Sequence, residues 1–471
     1  MKEIPQPTVF TWLGLLAVLV CAGGTRAWYI MECADHGQRD PAIQVQDAPP
    51  PANVPQGTSF RARTPPSQLD HLVANLAEHQ RFNCVAPLGD QEEETAHAAP
   101  LYPIVFAVAE YWSGERTDEV MRWLHCALGA LTAGFYFLFA RRAFHSTLVA
   151  TLAGLLTAFH PFWVINTAEL NDGVFASFVI AMCLALGARA GQTGGSMTGL
   201  AFGLALAAAA LTRAAFLPFA AVALLWFLWD CKRFSAGWFA GLLALLGFIN
   251  GVAPWSIRNW QTYERPVPVA TSTYLHLWVG NNSYAQGAAF DEKKLRASLS
   301  EERVKELLSE PNQAKRYNAL AKDVWEEVQE YPTETLTRRI QAALTYLLGD
   351  RWFKQRQLAL THEKSDTIAE PPAWVSEHLE TILQGTLLGL IVLGGLGWRF
   401  SHAWRRHGRI GAIAVVWLPL PYILSHAETL SGPRLPLDGV LLCLVAFALA
   451  CVIPGVAKPS EEDGKGKPAP R

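Results

Sequence analysis

The sequence predicts an all-α protein that crosses a membrane many times, and three observations lead there. Apolar residues make up 51% of 471 against 17% charged, with 17 Trp and 23 Phe, which is too apolar for an ordinary water-soluble domain. The apolar residues gather into recurrent runs near the ~20 residues that a helix needs to cross a bilayer. Lys and Arg cluster at alternate ends of those runs, as they do when every second connection stays in the cytoplasm. Two long polar stretches interrupt the pattern, so a sizeable part lies outside the bilayer. The formal net charge of -2 gives nucleic-acid binding no support. The eight cysteines form no CxxC and no metal-type spacing with His, and most fall in apolar runs where Cys is a small hydrophobe. No metal and no cofactor are expected.

Taken in order, Val9 to Tyr29 is a first membrane helix (residues 1–30). A signal peptide competes, because Cys21-Ala22-Gly23-Gly24 is small, but a single Lys precedes the run and a retained helix is expected. Residues 31–119 form a first external loop with juxtamembrane helices. Within it Leu69, Leu72, Val73 and Leu76 share one helical face. The apolar piece from Leu101 to Trp112, at ~12 residues, is too short to span. A six-helix membrane bundle over 120–254 comprises Val120–Ala140, Leu148–Val164, Val174–Ala188, Met197–Leu211, Ala214–Trp229 and Trp238–Ala253. Arg141-Arg142, Arg189, Lys232-Arg233, Arg399 and Arg405-Arg406 mark cytoplasmic ends, which places the start of the Val120 run, and with it Leu101–Trp112, outside. Pro254 is expected to end the last of these helices at the outer surface. An external segment over 255–378 follows, with Tyr317, Leu320, Val324 and Val328, then Leu336, Ile340, Leu344 and Leu347, at helical spacing. Three C-terminal membrane helices over 379–455 (Ile382–Trp398, Ile410–Leu424, Leu435–Val452) and a disordered cytoplasmic tail over 456–471 complete ten crossings. No inverted internal repeat of the transporter kind is visible.

The stretch from Ala253 to Gly287 carries most of the functional signal. Trp255 and Trp260 suit a headgroup boundary, and Arg258 with Asn259 puts a cation and an amide there, equipment for an anion and equally for membrane anchoring. The phrases PWSIRN, PVPVATST and HLWVGNN resemble the loop after the seventh membrane helix of bacterial GT-C glycosyltransferases, the group that includes protein mannosyltransferase-like and aminoarabinose transferase-like enzymes. This resemblance implies a GT-C type helical bundle with external juxtamembrane helices and an uncleaved first helix. It further implies transfer of a hexosyl or pentosyl group from a polyprenyl-phosphate carrier to an acceptor hydroxyl of a lipid, protein or polysaccharide. The place implied is the outer face of a plasma (inner) membrane. A multi-spanning lipid or solute transporter is the reading from another class, and it predicts charges mid-helix rather than at helix ends. A non-catalytic relative is a third.

Such a transferase needs a carboxylate to take the acceptor proton and cations or amides to hold the leaving phosphate. In the family that carboxylate follows the first helix as an Asp before a second acid. Here Asp35, Asp40 and Asp47 are available, but Asp35 precedes His36 and Asp40 precedes Pro41. Asp35, or else Asp40, is the candidate base, Asp35 being closer to the membrane and to Arg26. Glu169, in the run Asn166 to Asp172, resembles the family's second acidic position, though an acid at a helix entry also serves the dipole. Arg213 resembles the family's Leu-Thr-Arg turn. Arg434, just before Leu435-Pro436, resembles its phosphate-binding Arg, with Gly432 where the family often has a further Arg. Arg258, Asn259, Arg213 and Arg434 are thus the candidate donor-binding residues, and Arg258 and Arg434 are expected to converge on one phosphate-sized site. The acidic run from Asp90 to Glu94 reads as a solvated turn rather than a cation site, since successive carboxylates point apart. A disulfide between Cys33 and Cys84 is conceivable in an oxidising compartment.

Overall fold

In the computed structural model the described residues are 8–36, 68–85, 87–88, 91–233, 237–285, 292–348, 373–401, 404, 408–425 and 433–452. They are almost wholly helical. The first apolar run becomes α1 (Val9–His36), which outlasts the run because Met31 to His36 contains no breaker before Gly37. The first loop then supplies α2 (Gln68–His79), a two-stranded antiparallel hairpin of β1 (Asn83–Val85) and β2 (Glu92–Glu94), and α3 (Leu101–Ser113). At 13 residues, about 20 Å, α3 falls short of a ~30 Å bilayer core. It buries Tyr102 and Phe106 with Val73 of α2 and leaves Ile104, Val108, Tyr111 and Trp112 exposed, an amphipathic helix with its apolar edge open.

The bundle follows as α4 (Thr117–Phe144), α5 (Thr147–Ala158), α6 (Pro161–Ala168), α7 (Gly173–Thr193), α8 (Ser196–Thr212), α9 (Leu217–Asp230) and α10 (Gly237–Tyr263). Four helices outside the bundle, α11 (Thr273–Asn281), α12 (Glu292–Ala297), α13 (Glu301–Ser309) and α14 (Gln313–Glu330), precede α15 (Pro332–Leu348). The C-terminal helices are α16 (Ala373–Phe400), α17 (Arg409–Trp417), α18 (Leu420–Leu424) and α19 (Leu435–Val452). Among the described residues five helices, α1, α4, α7, α10 and α19, are long and apolar enough to cross a membrane; α5 and α6 add a sixth if their bent pair is one span. Shorter apolar helices lie at Ser196–Thr212, Ala214–Asp230, Gly385–Phe400 and Arg409–Leu424. The chain is a multi-pass membrane protein. The expected disordered tail lies outside the described residues.

Aromatic side chains of α4, α6 and α8, among them Tyr136, Phe137, Phe139, Trp163 and Phe202, fill the bundle interior. Small residues let helices close up where lipid offers no hydrophobic drive for association. Gly199 and Gly203 of α8 lie against the backbone carbonyls of Ala240 and Ala244 of α10, so a side chain at either glycine would meet main chain.

Pro254 does not end its helix: α10 runs through it to Tyr263. The lost hydrogen bond is tolerated because the last turns are pinned from outside. Trp255 Nε1 donates to Val269 O at 2.7 Å, Ser256 Oγ to Pro268 O at 2.8 Å, and Asn259 Nδ2 to Val267 O at 3.0 Å. Nor is the described acidic run a solvated turn. Glu92–Glu94 is the strand β2; Glu93 takes both Nη atoms of Arg316 at 2.9 and 3.0 Å, and Glu94 lies 3.7 Å from Arg258. Gln313 completes this seam, accepting from Ala96 N and Thr271 Oγ1 and donating to Glu93. The first loop, the end of α10 and α14 are thereby one polar-stitched body. Cys84 carries a free thiol, its Sγ 3.8 Å from His97 Nδ1, so the Cys33–Cys84 bridge is not formed; the Cys33 side chain lies outside the described residues.

Candidate functional site

The site is built at one end of the bundle, around a broken span. Proline at position 161 forces the preceding residue towards extended geometry, and His160 adopts φ -65° and ψ 118°, so α5 and α6 meet at 45°. The break brings His160 inside, 3.9 Å from Asp438 in the first turn of α19. Asp438 in turn accepts from Arg434 Nε at 2.7 Å, one helical turn away. All three side chains are at most 2% exposed. The start of α19 is fixed by Tyr136, whose hydroxyl donates to Pro436 O at 2.9 Å.

Arg434 also donates through Nη1 to the carbonyls of Tyr346 and Leu347 at the end of α15, while Nη2 has no hydrogen-bond partner among the described residues. Tyr346 stacks on Tyr422 at 5.8 Å, and the Tyr422 hydroxyl accepts from Arg213 Nη1 at 3.3 Å. Arg213, in the turn between α8 and α9, grips Asp172 at the start of α7 with Nε and Nη2, the Nε bond being 2.5 Å. Stacked tyrosines thus join two Arg–Asp pairs across four helix ends. Beside this array Glu169 caps α6 at 8% exposure, its Oε2 accepting from Asn171 Nδ2 at 3.1 Å.

The structure brings Arg213, Arg434 and Glu169 to this end of the bundle and places Arg258 and Asn259 in the first-loop seam. Arg258 Nη1 donates to Thr95 O at 3.0 Å, and its guanidinium lies 5.0 Å over the Trp255 ring. Asn259 is buried and spends its amide on Val267 and Val269 carbonyls. Arg258 and Arg434 share no partner among the described residues: Arg258 bonds to the first loop, Arg434 to Asp438 and the end of α15. Asp35 lies in the last turn of α1, its side chain outside the described residues, as are Asp40 and Asp47 altogether. Next to Arg258, burial holds His97 down to about 4 and pushes the Cys84 thiol up to about 12, the latter helped by Glu93 and Glu92. The imidazole is neutral at physiological pH, matching its 2.9 Å bond to Thr95 Oγ1. No group of three His, Cys, Asp or Glu among the described residues could hold a metal ion.

His160, Asp172, Tyr346, Tyr422 and Asp438 were not singled out from sequence. Asp438 had a local signal, an acid four residues after Arg434 and so on the same face of the helix. The tyrosines had none, since an aromatic residue beside an apolar run looks like an anchor.

This architecture, with 93% of the chain superposed, is similar to the crystal structure of the Archaeoglobus fulgidus oligosaccharyltransferase tethered with an acceptor peptide containing the NVT sequon through a disulfide bond. The TM-score is 0.50, with 12% sequence identity and 49% of that chain covered. The chain has the GT-C fold. A second structure, the archaeal oligosaccharyltransferase AglB from A. fulgidus in complex with an inhibitory peptide and a dolichol-phosphate, gives a TM-score of 0.49 and 13% identity over 94% of this chain and 51% of that one. The chain therefore spans about half the length of the oligosaccharyltransferases it matches. The family of dolichyl-phosphate-mannose-protein mannosyltransferases matches residues 97–257, which on this GT-C fold run from His97 in the first-loop seam through the bundle to Ile257 in α10, just short of Arg258. Comparison with curated protein sequences gives no match.

Proposed function

We propose that this GT-C protein is a membrane glycosyltransferase that moves a sugar from a polyprenyl-phosphate carrier to an acceptor hydroxyl at the outer face of the membrane. The observation that carries the reading is the match of residues 97–257 to the dolichyl-phosphate-mannose-protein mannosyltransferases, a stretch that includes Glu169 and Arg213. The site chemistry supports it. Arg434 has an Nη2 to spare for a phosphate, and the Arg213–Asp172 and Arg434–Asp438 pairs stand at helix ends. In the reaction Asp35, or Asp40, takes the acceptor O–H proton as that oxygen bonds to the anomeric carbon. The bond from that carbon to the carrier phosphate breaks, and its electron pair leaves on the phosphate with inversion. Arg434 and Arg213 steady the departing charge and Glu169 orients the sugar, while Arg258 and Asn259 hold the first loop over the site.

The test is release of polyprenyl phosphate, with labelled sugar retained on an acceptor, by the purified protein in lipid nanodiscs given a panel of polyprenyl-phosphate hexoses and pentoses. Protein-dependent release that disappears in Asp35→Asn or Asp40→Asn is expected. A well-folded protein that releases nothing from any donor overturns the reading.

A further inference from the structure

The break between α5 and α6 strips the last carbonyls of α5 of partners in their own helix, a costly exposure within a membrane. Two consecutive residues of α1 meet them. Thr25 Oγ1 donates to Ala158 O at 3.1 Å; Arg26 Nη1 donates to the same oxygen at 3.2 Å and Nη2 to Thr157 O at 3.3 Å. The guanidinium is 1% exposed, and its hydrogen-bond partners among the described residues are backbone carbonyls. A cation also complements the negative end of the α5 dipole. Room for it comes from Gly129 of α4, where a Cβ would stand 2.6 Å from the Arg26 Cδ and closer still to Nε. Burying an arginine is expensive, and an apolar residue with Thr25 alone would leave Thr157 O with only the long 3.5 Å bond from His160 N. From this joint α1 continues unbroken to His36, carrying Asp35 nine residues on (35 minus 26), about 13 Å. On the other side α6 runs from Pro161 to its cap, Glu169.

We propose that Arg26 is a positioning residue: it locks α1 to the broken span and so fixes the separation of the helix ends that carry Asp35 and Glu169. The inference rests on the transferase reading for its consequence in turnover, but its structural half stands apart.

The test uses the full chain in nanodiscs with Arg26→Met, Arg26→Lys and Gly129→Ala, the last displacing the guanidinium while keeping the arginine. Two quantities are measured: steady-state sugar transfer, and the distance between nitroxides at the exposed positions Met31 and Phe159 in a cysteine-free background. Arg26→Met and Gly129→Ala are expected to cut kcat tenfold or more with the donor KM within twofold, and to broaden or shift a narrow distance distribution. Arg26→Lys, which keeps the charge but not the paired donors, should fall between. A donor KM that rises at constant kcat overturns the proposal in favour of direct donor contact, and wild-type distances with wild-type kcat overturn it outright. If Arg26→Met does not fold, the other two variants decide. If the wild type transfers no sugar, the transferase reading fails and the distances alone judge the joint.

Discussion

Arg258 and Arg434 look alike in sequence, each a cation at a helix boundary, yet their surroundings assign them different work. Arg434 is enclosed with Asp438, and removing one member of such a pair leaves the other charge buried and uncompensated, at a cost of about 3–5 kcal/mol. Arg434→Ala is therefore expected to lose the folded, monodisperse protein. The double change Arg434→Met with Asp438→Leu should regain the melting temperature, because both desolvation penalties vanish together, while donor use stays abolished. Size-exclusion profiles, thermal melts and transfer assays read the three outcomes; recovery of transfer in the double variant would remove Arg434 from the reaction. Arg258 is partly exposed and 3.7 Å from Glu94, a pair worth at most about 1 kcal/mol, to which its bond to Thr95 O adds about 1.5–3 kcal/mol. Arg258→Ala should loosen the first loop, seen as faster proteolysis between β1 and α3, in a protein whose bundle still melts normally.

Among the elements, the hairpin β1–β2 and the α8–α10 contact make opposite uses of tight packing. The hairpin seam encloses His97 as a neutral imidazole held down to about 4, whereas the unfolded chain titrates near 6.5. The stability gained by keeping it neutral is complete above about 6.5 and is lost as pH falls towards 4, because there the unfolded loop binds a proton that the folded loop refuses. The protection factors of the β1–β2 amides, exchange corrected for the intrinsic pH dependence of the rate, should fall over that window, and His97→Gln should flatten the change; a slope that persists in the variant would assign the effect to another group. Along α8 and α10 the carbonyls of Ala240 and Ala244 lie directly against glycines, so a side chain has no flexible neighbour to displace. Gly203→Val should drive the helices apart and lower stability by about 1–3 kcal/mol or more, measured by thermal unfolding in detergent, whereas the same change at Gly24, with nothing near its Cβ, should be tolerated.

For the whole molecule, the decisive expectation is orientation. Alternating basic ends place the first loop and residues 255–378 on one side and Lys232 on the other. Single-cysteine variants at position 115 and at position 232, probed in sealed cells with a thiol reagent that does not cross membranes, should label only at 115. Labelling at 232 alone would invert the protein and move the whole polar end of the bundle to the cytoplasmic side.

The multi-spanning helical character was legible early because a bilayer enforces it: helix length and apolar composition are local properties, readable one segment at a time, whereas the GT-C expectation came with the resemblance of PWSIRN, PVPVATST and HLWVGNN. Glu169, Arg213 and Arg434 were singled out by their resemblance to family positions, and each does stand at the end of an apolar run. What the sequence could not supply was partnership. That Arg258 serves the loop, that Arg213 reaches Tyr422 and that His160 turns inward to Asp438 depends on which helix ends become neighbours, although they are far apart in the chain. Pro254 misled because its local cost, about 3 kcal/mol, is offset by the hydrogen bonds that Val267, Pro268 and Val269 offer to the helix beyond it. Sequence by itself determined which segments are apolar enough to enter a membrane, a solvent preference of each segment. Tertiary structure alone decided which buried charge meets which partner, because a desolvated cation is satisfied only by groups brought within hydrogen-bonding distance, whatever their place in the chain.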